Sequence, residues 1–207
     1  MSDLDFDVLG VAPDPYAAAP TLVFTLRIIE TTGVAVHSVA LRCQLRIEPQ
    51  RRRYTAAEEE RLLAIFGDTP RWGDTLKPFL WTHASTMVAG FSGATEVDLP
   101  VPCTYDFEVA AAKYLHALDD GEVPLVLLFN GTVFSSAGVE PVPWHKETHF
   151  KMPAQVWRRL MDLYFPNSGW VRLHRDTLDD LERFKASRAL ATWEQAIEAL
   201  LKEAGSS

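Results

Sequence analysis

Between Val123 and Phe134 the chain reads VPLVLLFNGTVF, apolar apart from Asn130, Gly131 and Thr132. A helix needs about 20 apolar residues to cross a bilayer, and this run is far shorter. Pro124, Gly131 and the β-branched valines disfavour a helix, so the run predicts a central strand buried on both faces. Just upstream, Tyr105, Phe107 and Val109 alternate with Thr104, Asp106 and Glu108, the pattern of a strand with one dry face. Tyr114, Leu115 and Leu118 then recur at helical spacing, which places a short helix at about 111–118. Asp119-Asp120-Gly121 supplies the positive-φ turn that sends the chain back.

Other strands follow from the same two-residue period. Leu22, Phe24, Leu26 and Ile28 share one face of Thr21–Glu30. After a Thr31-Thr32-Gly33 turn, Val39, Leu41, Cys43, Leu45 and Ile47 share one face of the next segment. The pair reads as antiparallel partners, the second half-solvated. Thr55 and Glu58 have capping-box spacing for a helix at about 56–66, which Gly67 closes. Phe79–Phe91 is a two-faced strand with a bulge or tight exit at Gly90 and Gly93, Glu96–Val101 a short one, and the segments 138–144 and 144–150 one or two more. Trp72, in the irregular segment between Asp68 and Pro78, should pack over a sheet edge. Met152-Pro153 opens a helix with proline at its first position. Asp176 caps another, and Thr192 with Gln195 caps a last one carrying Trp193, Ile197, Leu200 and Leu201. Residues 1–20, with Pro13, Pro15 and Pro20, read as an extended arm with a short edge strand around Phe6–Val11.

Strands first and helices last define an α+β chain, mainly β. The expected architecture is an antiparallel β-sandwich-like domain over 21–152 with C-terminal helices, 153–207, packed on it.

The net charge of −8 argues against nucleic acid as a partner. The acidic start MSDLDFDVLG lacks the layout of a secretory signal, and no run is long enough for membrane insertion, so the expected location is cytoplasmic. Cys43 and Cys103 are expected as free thiols, Cys43 on a buried face and Cys103 more exposed.

Several clusters could carry chemistry. On an extended segment His145, Glu147 and His149 project from one face, a ligand set that suits zinc or non-haem iron. The spacing strains the two outer histidines, and the competing reading is a solvated strand face opposite Trp144 and Phe150. His37, His116 and His174 are further candidate ligands, and His83 reads as a packing residue. Arg51, Arg52 and Arg53 invite a phosphate reading, but Glu58, Glu59 and Glu60 follow and neutralise them locally. Asp119, Asp120 and Glu122 crowd a turn without the alternating oxygens of a calcium loop. Asn130-Gly131-Thr132 matches a glycosylation acceptor by accident. The six tryptophans are spread along the chain, most of them as packing residues. No phosphate-cradling glycine loop, nucleophile elbow or paired CxxC is present, so no catalytic, cofactor-binding or metal residue is assigned and no cofactor is expected.

The segments VPCTYDFEVAAAKYLHALDDGEVPLVLLFNGTVF and VPWHKETHFKMPAQVWRRLMDLYFPNSGWVRLHRDTLDDLERFK resemble an uncharacterised actinobacterial protein family of about this length, over most of the chain past residue 20. That family is associated with gene neighbourhoods of nickel–iron (NiFe) hydrogenases and their maturation factors. The resemblance implies a protein partner, a hydrogenase subunit or maturation factor, and carries no site residues. The sequence therefore reads as a non-enzymatic accessory or interaction protein acting through its surface, with room for a homo-oligomer. The alternatives are a metal-binding protein using the His-x-Glu-x-His strand and a β-sandwich with a small-ligand pocket between sheet and helices.

Overall fold

Alternating apolar side chains from two antiparallel sheets meet face to face in the computed structural model, which describes residues 2–104, 106, 109–168 and 171–205. The first sheet has the order β1-β2-β5, from β1 (Leu4–Pro13), β2 (Thr21–Glu30) and β5 (Ala94–Pro102). The second runs β4-β3-β6-β7, from β3 (Val36–Ile47), β4 (Phe79–Phe91), β6 (Glu122–Ser135) and β7 (Gly138–Pro141), and β8 (Glu147–Pro153) also pairs with β6. Leu22, Phe24, Leu26 and Ile28 face Leu41, Cys43, Leu45 and Phe129 across one core. Phe6 stacks on Phe129 at 4.3 Å between ring centroids, which ties the two sheets together. The expected mainly β, α+β sandwich is what the chain forms, and β6 sits inside the larger sheet with partners on both edges.

One strand pairing differs from expectation. The segments Thr21–Glu30 and Val36–Ile47 are not partners: β2 pairs with β1 and β5, and β3 with β4 and β6. Alternation assigns each strand a dry face but not a neighbour. Glu30 makes the difference. Its side chain is buried, and its carboxylate accepts the backbone N–H groups of Asp3, Thr32 and Val34 at 3.3, 3.1 and 3.0 Å, and the Thr32 hydroxyl. Those bonds hold the turn, with Gly33 at φ 79°, as an arch from one sheet to the other instead of a hairpin.

The edge strand expected around Phe6–Val11 forms and is longer than its alternation alone indicates. Leu4, Phe6 and Val8 are buried between exposed Asp5 and Asp7, so residues 4–13 make a full strand with a register shift between Val8 and Gly10. Two polar clasps hold it to the opposite sheet. Lys146 Nζ lies 2.8 Å from Asp3 and 2.9 Å from Asp5, and Ser2 donates its N–H and hydroxyl to Glu140, both at 2.7 Å. These contacts hold Asp3 and Glu140 below the usual carboxylate range, through the Lys146 and Ser2 hydrogen bonds respectively.

Three helices complete the sandwich: α1 (Ala56–Phe66), α3 (Ala110–Ala117) and α4 (Ala154–Tyr164), with a single helical turn, α2 (Trp72–Thr75), between α1 and β4. The capping box of Thr55 and Glu58 forms as its spacing implies, and Gly67 ends α1 at φ 71°. Trp72 packs among Tyr54 and Phe66 and donates its indole N–H to Gly67. Pro153 is the residue before α4, not its first position. Helix α4 falls within one compact unit, Met1–Trp170, and Val171–Ser207 forms a second. That unit holds α5 (Arg175–Ser187) and α6 (Trp193–Gly205). Gln195 and Thr192 cap α6 reciprocally, whereas His174, not Asp176, occupies the cap position of α5. Of the strand expected over residues 104–109, Tyr105, Phe107 and Glu108 lie outside the described residues. No helix among the described residues is long and apolar enough to cross a membrane.

Candidate functional site

Three clusters that the sequence presents separately come together where β3 ends. Pro49–Arg51 forms a 3-10 turn directly after β3 and carries Arg51, Arg52 and Arg53 toward the start of β6. The β6–β8 register sets Pro124 opposite Lys151 and Val126 opposite His149, so His149 and Lys151 share the outer face with Glu147. Arg51, Arg52, Arg53 and Lys151 line a cavity of about 250 Å³ with Glu122, Gly121 and Pro124.

The four cations are held differently. Arg52 is pinned: it donates to Glu58 at 2.7 Å, to the carbonyls of Asp120 and Glu122 at 3.2 and 3.3 Å, and to that of Arg53 at 3.3 Å. Its guanidinium also lies over the Tyr54 ring. Glu58, 1% exposed, accepts in addition the N–H groups of Thr55 and Asp119, both at 2.9 Å, so the buried pair is fully satisfied. Arg51 Nε lies 3.2 Å from Glu48 Oε2, which is also 3.5 Å from His149 Nε2. That oxygen is buried and has no well-directed hydrogen bond among the described residues. Lys151 pairs with Glu122 at 3.2 Å, both well exposed. The Arg53 guanidinium pairs with no carboxylate among the described residues. The arginine cluster is thus only partly neutralised by helix α1: Glu58 takes Arg52, and Glu48, from β3's end, takes Arg51.

Next to this cavity Tyr114 and Tyr54 share a hydroxyl–hydroxyl hydrogen bond of 2.8 Å, and Tyr54 donates to the Pro49 carbonyl. Burial pushes the Tyr54 hydroxyl up to about 12 and Tyr114 higher still. Beyond the turn, Asp119 pairs with Arg61 at 2.6 Å, which holds its carboxyl low. Burial, then Arg158 and Arg61, depress the His116 imidazole, whose ring meets Trp157 edge-on.

The His145-Glu147-His149 set is not brought together: His145 lies in the turn before β8, and only Glu147 and His149 sit on the strand. Among the described residues no three of His, Cys, Asp and Glu are grouped closely enough to hold a metal ion. His83 and His37 are exposed on the larger sheet, and His174 lies in the second unit. Cys43 and Cys103 are free, and burial raises the Cys43 thiol to about 12. Trp72 and Trp157 are buried, while Trp144 is 88% exposed. A second cavity of about 270 Å³ lies between β4 and α3, lined by Trp81, Cys103 and Leu115 among others. Glu48 carried no signal in the sequence, because its partner His149 is distant in the chain.

The fold and site define a two-sheet antiparallel sandwich with a polar, arginine-lined cavity and a separate helical pair. The chain belongs to DUF6084, a family of unknown function whose profile matches residues 1–207. No curated protein matches it. Among solved structures it is similar to a Bordetella pertussis protein designated ApaA, with 13% identity over 73% of this chain and 94% of that one, at a TM-score of 0.28. It is also similar to a late embryogenesis abundant (LEA) protein, with 14% identity over 74% and 72%, at a TM-score of 0.34. A Kluyveromyces marxianus β-glucosidase aligns at 8% identity and a TM-score of 0.28, over 73% of this chain and only 15% of the enzyme. Similarity this low transfers no property of those proteins.

Proposed function

We propose that this protein is a non-enzymatic interaction protein that works through its surface in the cytoplasm. The observation that carries this reading is the second unit. Helix α6 leaves Trp193, Ile197, Leu200 and Leu201 between 39% and 66% exposed, and Ala196 is its buried residue among those described. Helix α5 has no buried residue among those described. Two helices without a core of their own gain little stability alone, and an exposed apolar stripe of this kind is the usual mark of a protein contact. The resemblance to a hydrogenase-associated actinobacterial family supplies the partner to test first: a NiFe hydrogenase subunit or maturation factor.

The experiment is co-purification from the native host, comparing the wild-type chain with an Ile197→Asp/Leu200→Asp variant whose sandwich is checked by circular dichroism. Loss of a hydrogenase component from the variant alone supports the reading. Equal recovery of partners by both chains, or none by either, refutes it.

A further inference from the structure

We propose that the cavity lined by Arg51, Arg53 and Lys151 binds a small, multiply charged oxyanion, a phosphate group in particular. This inference does not depend on the interaction reading. The cavity, about 250 Å³, falls just below the range of drug-sized pockets, roughly 300–1,000 Å³, so it suits a compact anion.

The charge arrangement favours the same class. Four cationic side chains converge in a protein of net charge −8, and they differ in what they have to spare. Arg52 is consumed by Glu58 and three carbonyls and serves as the fixed wall. Its rigidity, with the 3-10 turn at 49–51, sets the backbone on which Arg51 and Arg53 are presented. Glu48 holds Arg51 through Nε. Arg53 has no carboxylate partner among the described residues. Lys151 is engaged only by Glu122, with side chains 71% and 56% exposed, the kind of pair that solvent already weakens. A phosphate would displace Glu122 from Lys151 and gain charge-assisted hydrogen bonds from Arg53 and Lys151. Glu122 is the opposing charge at the site, and the Glu48 carboxylate is turned to Arg51 and His149.

The test titrates the full chain with inorganic phosphate, and separately with glycerol 3-phosphate, following backbone amide shifts by NMR against sodium chloride at matched ionic strength. Saturable one-to-one shifts centred on residues 51–53, 121–124 and 151 are expected. Arg53→Ala/Lys151→Ala should weaken binding about tenfold or more, and Glu122→Gln should tighten it. Both variants change exposed side chains, and amide spectra show whether the fold is kept. Tighter binding of the ester assigns a phosphomonoester, and tighter binding of inorganic phosphate assigns the free anion. Shifts no larger than those from chloride, or unchanged affinity in the Arg53→Ala/Lys151→Ala variant, overturn the proposal.

Discussion

Removing the Glu30 carboxylate should unfasten the crossing between the two sheets. Glu30 is 4% exposed and accepts the N–H groups of Asp3, Thr32 and Val34 together with the Thr32 hydroxyl. Thr32 is exposed, so water can replace the lost acceptor there, whereas Asp3 and Val34 are half-buried. With about 1–2 kcal/mol for each of those two stranded donors, Glu30→Ala should cost about 2–4 kcal/mol. Glu30→Gln keeps one acceptor oxygen but loses the charge, and should cost about 1–2 kcal/mol. Burial alone would raise the Glu30 pKa, but the hydrogen bonds from Thr32 and from the Asp3 amide outweigh it and hold the group below its ordinary value. A carboxylate with a depressed folded-state pKa adds stability above its unfolded value, about 4.3, and loses it as the pH falls through the lower folded value. The gap between wild type and Glu30→Gln should therefore be full at pH 7 and narrow below about pH 4. Urea unfolding followed by near-ultraviolet circular dichroism, sensitive to buried Trp72 and Trp157, measures both. A Glu30→Ala variant within about 0.5 kcal/mol of wild type, or a gap unchanged down to pH 3, would refute the reasoning.

Two further outcomes follow from the core. At Gly131, φ is 148° and an added Cβ would lie 2.2 Å from the Ala40 carbonyl oxygen, so Gly131→Ala should destabilise by about 3 kcal/mol or more and lower the thermal midpoint. Glu58→Ala leaves Arg52 buried without its counter-charge and should cost about 3–5 kcal/mol, while Arg52→Met/Glu58→Leu should recover much of that loss; equal losses in the two variants would contradict it.

Local signals in the sequence determined the parts of this fold. The two-residue alternation through Val39–Ile47 and Leu22–Ile28 marked which side chains are dry. The Thr55–Glu58 box marked where α1 starts, and Gly33, Gly67, Gly93 and Gly121, all at positive φ, marked turns and ends. Each depends on residues a few positions apart, so each is readable in one dimension. Leu4, Phe6 and Val8 carry the same alternation, which marks an edge strand around Phe6–Val11, while the prolines that follow hide its full length. Partner choice belongs to the tertiary structure. A strand with one dry face fits any sheet that covers it, and Glu30, by gathering donors from Asp3, Thr32 and Val34, decides that β2 and β3 lie in opposite layers. The candidate site has the same origin. Arg53, Glu122 and Lys151 belong to three separate segments, and only the β6–β8 register and the turn after β3 bring their charges to one cavity.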